Sequence, residues 1–388
     1  VRVLFVQYTN PAIYPPLLHA MGLLAAAGCD VHAVGLDTMN ADLAAGYPSG
    51  VHVRLMRAQP PGIRQKINYG QFAWRVMRDA ARLRPHWLYA SDALAAPAAG
   101  MARRRTGARL VYHEHDMPVE AWAARRPSVF MRQVLAARRR AIRTADLCVV
   151  PSDGRARALE AATGRRDIAV VWNCPRRDEA AAPHAPTNGA VVRFLYQGSI
   201  VPARLPPAVV EALSQVDARA QLVIAGYTTI GHPGYLEALL AHARTRGVAD
   251  RVTYAGVLNR TALLDLAAGS DVGLALFPID TTDPNESTMV GASNKAFEYL
   301  ARGLPLIVSD RPEWREAFTG RELARPCDPA RAESVAAALR WFVERPAERW
   351  AMGERGRQRV LAGWNYETTF APVLETLVGG PPKAAADR

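Results

Sequence analysis

The sequence predicts an α/β protein of two domains, each a parallel sheet covered by helices, facing each other across a cleft. Three observations predict it. Short apolar runs alternate with helix-length stretches along the whole chain, the pattern of strands joined by helical crossovers. The 388 residues, 49% of them hydrophobic, suffice for two cores of ordinary size. A Pro-, Ala- and charge-rich stretch without apolar periodicity, 175–189, separates two such alternations.

In chain order, the first half offers strand-like runs at Val1–Gln7, His32–Leu36, Val51–Met56, Trp87–Ala90, Arg109–His113, Leu147–Val150 and Ala169–Trp172. The second offers Val191–Tyr196, Gln221–Ala225, Val252–Tyr254, Val272–Leu276 and Leu304–Val308. Ala-, Leu- and Arg-rich stretches between them have helical length. The domains are expected at 1–177 and 190–362, followed by a helix at 364–378. A polar tail at 379–388 is expected to be disordered, because it has too little apolar surface to fold. The opening Val1–Val6 reads as a first strand rather than a signal peptide, since it lacks a basic region, a long apolar core and a small-residue cleavage site. No stretch reaches the roughly 18–20 apolar residues of a membrane span.

Four cysteines (Cys29, Cys148, Cys174, Cys327) are scattered without metal-ligand or disulfide-framework spacing. They suit a reducing cytoplasm, and Cys148, inside an apolar run, reads as a small buried hydrophobe. The formal charge of +12, carried mostly by arginine, suits an anionic ligand or an anionic membrane surface. Nucleic acid is disfavoured because the basic residues are not interleaved with aromatics. Arg103-Arg104-Arg105 reads as the end of a helix, where cations oppose the negative dipole end. Arg138-Arg139-Arg140 with Arg143 lies in a helical segment with apolar Val134, Leu135 and Ile142 opposite. It is either an ordinary solvated face or a membrane-surface helix at the inner face of the membrane.

The richest stretch is Ser293–Asp310. Ser293 is placed to cap a helix, Gly303 to stop it, and Leu304–Val308 to follow as a buried strand. Lys295 stands in the first turn, beside unpaired N–H groups and the positive dipole end, a combination suited to phosphate. Glu298, one turn on, can accept hydrogen bonds from sugar hydroxyls. The competing reading makes Lys295 a solvated lysine and Glu298 an exposed partner of Arg302.

Ligands of open parallel sheets bind beyond the carboxyl ends of the strands. Those positions carry Asn10, Asp92, Tyr112-His113-Glu114-His115-Asp116, Gln197-Gly198-Ser199 with Arg204, Gly226, and Val257-Leu258. No GxGxxG follows the first strand and no GxxxxGK[ST] occurs, which disfavours a dinucleotide oxidoreductase and a P-loop NTPase.

At these residues the chain resembles the retaining glycosyltransferases of the GT-B fold, family four. Tyr196-Gln197-Gly198-Ser199 with Arg204 resembles the family's Gly-Arg…Lys element, with Ser199 in place of its Arg. Asn294-Lys295-Ala296-Phe297-Glu298-Tyr299 with Gly303 and Pro305 resembles its glutamate signature, whose first Glu falls at Val290 here. His115-Asp116 resembles the histidine element of the first domain, and Val150-Pro151-Ser152-Asp153 through Asn173-Cys174-Pro175 the segment entering the linker.

The resemblance implies two Rossmann-like domains, with the last helix crossing back to the first. It implies a nucleotide-sugar donor on the second domain, an acceptor on the first, and no cofactor or metal. Gly198, Ser199, Arg204, Gly291, Ala292, Asn294, Lys295 and Glu298 would hold the donor, Glu298 through its ribose. Arg204 and Lys295 would stabilise the departing diphosphate, and His115 would orient the donor sugar. The nucleobase would lie near Gly226, Val257 and Leu258, and the acceptor near Asn10, Asp92 and Asp116. The acceptor could be lipid-linked, a saccharide or a natural product. Loop 278–292 is expected to be mobile and to order over the donor, with Glu286 a stand-in for the absent Glu. The same fold admits a non-hydrolysing nucleotide-sugar 2-epimerase, and the replaced Arg and Glu admit a non-catalytic partner subunit.

Overall fold

A computed structural model describes residues 1–37, 46–119, 126–182, 191–229 and 231–379. Most of the expected tail, and 183–189 of the expected linker, lie outside the described residues. The chain divides into two compact units, Val1–Asn173 with Tyr366 onward, and Cys174–Asn365.

The first unit carries β1 (Arg2–Gln7), α1 (Pro15–Ala26), β2 (Asp30–Asp37), β3 (Val51–Arg57), α2 (Ile63–Leu83), β4 (Trp87–Ser91) and α3 (Ala96–Thr106). It continues with β5 (Arg109–His113), α4 (Val129–Thr144), β6 (Leu147–Val150), α5 (Asp153–Thr163) and β7 (Ile168–Val170). The sheet order is β3-β2-β1-β4-β5-β6-β7, parallel throughout. Val3–Gln7 of β1 and all of β4 are buried, as central strands covered on both faces must be. Strand order reverses between β1 and β4, so Asn10 and Asp92, which follow them, sit at the switch point where such sheets bind ligands.

The second unit carries β8 (Val192–Ile200), α6 (Ala208–Leu213), β9 (Ala220–Thr228), α7 (Tyr235–Thr245), β10 (Val252–Gly256), α8 (Arg260–Ala268) and β11 (Val272–Ala275). Then come α9 (Pro284–Ser287), α10 (Asn294–Ala301), β12 (Leu306–Ser309), α11 (Pro312–Ala317), β13 (Ala324–Cys327), α12 (Ala332–Glu344) and α13 (Pro346–Ala362). Its parallel sheet runs β10-β9-β8-β11-β12-β13, with the switch point between β8 and β11.

The last helix, α14 (Tyr366–Val378), belongs to the first unit. Tyr366, Phe370, Val373 and Leu377 recur on one face, and all four are buried in the core that holds Val3, Phe5 and Leu17. Each such side chain contributes about 1.5–3 kcal/mol. Trp87 Nε1 donates to the Leu377 carbonyl at 3.2 Å and fixes the far end.

The structure departs from or adds to the sequence reading at four places. β8 and β9 do not stop at Tyr196 and Ala225; the ladder continues through Gly198–Gly226, Ser199–Tyr227 and Ile200–Thr228. β13 was not foreseen, because four residues containing Arg325 and Pro326 give no apolar signal. Within loop 278–292 lies α9, and the buried Arg311 guanidinium donates to the carbonyls of Glu286 at 2.9 Å and Ser287 at 3.1 Å. The described start of the expected linker is built into the second unit, with Ala181 N–H donating to the Ala301 carbonyl at 2.9 Å.

Candidate functional site

In the second unit the site begins with two glycines side by side on β8 and β9. Gly198 has φ +116° and Gly226 φ +143°, backbone that other residues rarely adopt. A Cβ on Gly226 would lie 1.8 Å from the Gly198 carbonyl oxygen, so only glycine lets these strands meet there. A Cβ on Gly198 would point at the Lys295 ammonium, 3.7 Å away. The missing side chain leaves the backbone bare beneath a cation.

That cation comes from α10. Ser293 takes the N-cap place with extended backbone, yet its side chain makes no capping bond. The first N–H groups of α10 therefore lack the usual side-chain partner. Lys295, in the first turn, is buried, with its ammonium 4.4 Å above the Tyr196 ring and 5.8 Å from the Phe277 ring. The Arg204 guanidinium reaches the same Phe277 ring at 5.4 Å. Phe277 follows β11, so two cations converge at the β8/β11 switch point. Lys295 Nζ has no hydrogen-bond partner among the described residues, nor have the buried Asn294 Oδ1 and Gln197 Oε1. Burial first, and Arg204 second, hold the ammonium well below its ordinary pKa, with Glu298 opposing them.

Glu298 is not the exposed partner of Arg302. It is buried and accepts from Gln197 Nε2 and from Arg260 at 2.7 Å. Arg260 also grips Glu179 through two bonds of 2.6 and 2.7 Å. Burial would lower the Arg260 pKa, and the carboxylates Glu298 and Glu179 outweigh it and raise it. Tyr299 OH accepts the Gln197 N–H at 2.8 Å, so successive residues of α10 hold both ends of Gln197.

Ser199 lies in β8, where its carbonyl accepts from Tyr196 OH. Gly291 has φ +88°. The Ala292 N–H donates to the Met289 carbonyl at 3.0 Å, as does Ser293 N–H at 2.9 Å, so this turn uses the amide expected to face the donor. Glu286 accepts from Thr281 Oγ1 at 2.8 Å. Val257 is exposed, and with Leu258 it leads into the Asn259 cap and Arg260 of α8.

In the first unit His113 and His115 pack ring against ring, centroids 3.9 Å apart. Tyr89 OH meets His113 Nδ1 at 2.7 Å. Neither ring nitrogen of the buried His115 has a partner among the described residues. Burial, assisted by Arg155, lowers the His115 pKa to about 3, so this imidazole is neutral. Asp92 has left-handed backbone, φ +63°, and its carboxylate accepts from His115 N–H at 2.8 Å and Asp116 N–H at 3.4 Å. Burial first, and the Asp116 charge second, push Asp92 up to about 7. Asp116 itself is exposed and pairs with Arg155 at 3.0 Å. Asn10 caps the short 3-10 turn Pro11–Ile13, accepting from Ala12 N–H at 3.0 Å and Tyr47 OH at 2.6 Å.

Among the described residues, no three His, Cys, Asp or Glu side chains form a group able to hold a metal. No helix of the described residues is long and apolar enough to cross a membrane.

Residues 18–175 match the family described as Glycosyltransferase Family 4, and residues 207–375 the family described as Glycosyl transferase-like. The chain is a family-four-like glycosyltransferase of the GT-B fold. No curated protein sequence matches it. Among solved structures it is similar to HepE from Anabaena in complex with UDP and glucose, at 16% identity and TM-score 0.74, covering 97% of this chain and 99% of that one. It is similar to sucrose-phosphate synthase from Thermosynechococcus elongatus at 16% identity and TM-score 0.73, covering 97% of each chain. A third likeness is to WaaG, a glycosyltransferase involved in lipopolysaccharide biosynthesis, at 14% identity and TM-score 0.69, covering 98% of this chain and 100% of that one. At these identities the likenesses speak for the fold.

The glycosyltransferase thus brings Gly198, Arg204, Lys295 and Glu298 together in one unit, and Asp92, His115 and Asp116 in the other. Sequence reading missed Arg260 and Glu179, and gave no role to Phe277 or His113, which it placed only at strand ends. Arg260 left a signal: a cation in the first turn of a helix opposes the dipole and calls for a nearby acid. Arg138, expected on a solvated or membrane-surface helix face, is instead buried and grips Glu114 with two bonds of 2.5 and 2.6 Å.

Proposed function

We propose that the enzyme transfers a glycosyl group from a nucleoside-diphosphate sugar to an acceptor hydroxyl, with retention at the anomeric carbon and without a metal ion. The observation that carries this reading is Lys295: a buried ammonium without a hydrogen-bond partner among the described residues, beside a second cation, over bare glycine backbone, at a helix N-terminus. An uncompensated buried charge is costly, and a diphosphate seated there offsets that cost. HepE, of the same fold, was solved with UDP and with UDP-glucose, which supports a donor of that class.

The bond from the anomeric carbon to the diphosphate breaks as the bond to the acceptor oxygen forms on the same face. The acceptor proton passes to the departing phosphate oxygen. Charge grows on that phosphate, and Lys295, Arg204 and the α10 N-terminus meet it without reorganising. Glu298, held by Arg260 and Gln197, retains lone pairs for ribose hydroxyls. The neutral His115 offers one donor and one acceptor to a sugar hydroxyl. Asp92, Asp116 and the surface around Asn10 border the acceptor. The four cysteines, all buried and unbridged, suit a cytoplasmic setting.

Calorimetric titration with UDP, ADP and GDP tests the reading. Arg204→Ala and Lys295→Ala are each expected to weaken binding by at least about tenfold, the loss of a charge-assisted bond. Unchanged affinity in both variants would remove the diphosphate from this place. Incubation with the nucleotide sugar alone should leave the sugar's configuration intact; inversion at C2 would point to an epimerase instead.

A further inference from the structure

Helix α2 carries two apolar stripes, and only one of them is used by the fold. Phe72, Val76 and Ala80 recur at four-residue steps and are buried in the first unit's core. On the opposite side Ile63, Ile67 and Trp74, separated by four and seven residues, are 75%, 59% and 55% exposed. They span about 16 Å of helix axis, at 1.5 Å per residue. Isolated exposed hydrophobes are ordinary, whereas three large ones on a single helical line are a surface.

The residues flanking this line share one sign of charge. Arg64, Lys66, Arg78 and Arg82 are exposed, and Arg75 is half-buried. The helix has one acid, Asp79; it is buried on the other side and paired with Arg54 at 3.2 Å and Arg78 at 3.8 Å. Arg64, Lys66, Arg75 and Arg82 make no ion pair among the described residues. The Arg78 guanidinium lies 5.2 Å from the Trp74 ring, so the aromatic and its cation act as one amphipathic group. At the start of α4, Phe130 packs edge-on against Tyr69 at 4.9 Å, which brings the exposed Val129 and Arg132 alongside α2.

We propose that this face of α2 docks on an anionic lipid bilayer, with Ile63, Ile67 and Trp74 entering the headgroup–acyl boundary and the flanking cations meeting lipid phosphates. The charge pattern selects this occupant. A second copy of the chain seated on the same stripe would oppose Arg64, Arg75 and Arg78 to their own equivalents with no exposed acid on either helix. A bilayer rich in anionic headgroups supplies the opposite charge along the whole line. An apolar stripe with a Trp and bordering Lys and Arg is the arrangement by which a helix lies in an interface rather than across it, and each cation near such a surface raises affinity about fivefold. None of these residues contributes to the cationic well around Lys295, so this inference and the donor reading stand or fall separately.

Flotation of the full chain with vesicles of phosphatidylglycerol and phosphatidylcholine, beside pure phosphatidylcholine vesicles, tests the proposal. Binding to the mixed vesicles, weakened by salt and absent from the neutral ones, is expected. Ile67→Ser combined with Trp74→Ser should lower binding at least tenfold, and Arg64→Gln combined with Arg75→Gln should lower it and flatten the salt dependence. Arg64, Ile67 and Trp74 are exposed and Arg75 is half-buried without an ion pair among the described residues, so melting temperature should hold. The fluorescence of the protein should shift to the blue on vesicles and lose that shift in Trp74→Phe. A wild-type chain that does not float overturns the proposal. So does binding that survives both double variants, which would move the contact elsewhere. A concentration-dependent doubling of mass that Trp74→Ser abolishes would give the stripe to a second copy.

Discussion

The Lys295 ammonium lies 4.4 Å above the Tyr196 ring and has no hydrogen-bond partner among the described residues. A cation over an aromatic face gains about 0.5–2 kcal/mol, less than the several kcal/mol lost on removing an ammonium from water. The position is unfavourable for the folded state alone, and stability and function should separate there. Lys295→Met is expected to stabilise the free protein by about 1–3 kcal/mol at about pH 7, while turnover falls more than about a hundredfold. The sign follows from linkage. The folded pKa is held below the unfolded value of 10.5, so the unfolded chain binds more protons and wild-type stability rises with pH through that window. The advantage of the Met variant should therefore shrink towards about pH 9.5. Urea melts of both proteins at the two pH values check this, and a less stable Met variant would mean that Lys295 is already satisfied.

The same depressed pKa predicts proton uptake on binding. A diphosphate beside Lys295 favours the ammonium and returns its pKa towards the ordinary range. Titration of UDP into the enzyme at mildly alkaline pH, in buffers of differing ionisation enthalpy, should show protons taken up. Lys295→Met should remove the uptake along with most of the affinity. Binding that is proton-neutral from about pH 7 to about pH 9.5 would show that the diphosphate does not touch this amine.

Particular residues mark how far local sequence determines this fold and site. The strands were legible because their apolar runs are bounded by turn residues, and Lys295 with Glu298 stood out because a helix start with those charges is unusual. Gln197–Ser199 looked like a loop, because glycine inside a run normally ends a strand; here Gly198 and Gly226 are what allow the ladder to continue. Arg260 and Glu179 lie 81 positions apart and meet only after folding, so neither could be paired from local pattern. Arg138 had three arginine neighbours and an apolar face opposite, and nothing in that spacing distinguishes the one arginine that turns inward to Glu114.

Arg260 stands between two carboxylates, at 2.7 Å from Glu298 and 2.6 Å from Glu179. Removing it takes the shared guanidinium from both acids at once. Arg260→Ala is expected to cost about 3–5 kcal/mol, the penalty for breaking a buried pair from one side. Arg260→Lys should recover part of that stability but not the two-bond grip on Glu179, because an ammonium lacks the planar fork. Glu298 should then lose its fixed orientation, so nucleotide affinity should fall in the Lys variant even where the fold survives. Guanidinium melts and calorimetry on the two variants measure these effects separately. A change below about 1 kcal/mol in Arg260→Ala would place this network among surface pairs of little consequence.

Asp92 and His115 are joined through the His115 N–H at 2.8 Å, and their titrations oppose each other. Asp92 has a folded pKa of about 7, above its ordinary 3.8, so its contribution to stability is full below the unfolded value and is lost as pH rises through about 7. His115 has a folded pKa of about 3, below its ordinary 6.5, so its contribution is full above 6.5 and is lost as pH falls towards 3. Asp92→Asn keeps an acceptor for the His115 N–H and removes one titration. Its stability relative to wild type should climb steadily between about pH 4 and about pH 7 and then level off. His115→Gln should show the reverse trend, gaining on wild type as pH falls below about 6.5. Urea midpoints of the three proteins across this range give both curves. A difference between Asp92→Asn and wild type that stays flat would show the carboxylate ionised throughout, and with it surroundings of Asp92 more open to water than the folded geometry indicates.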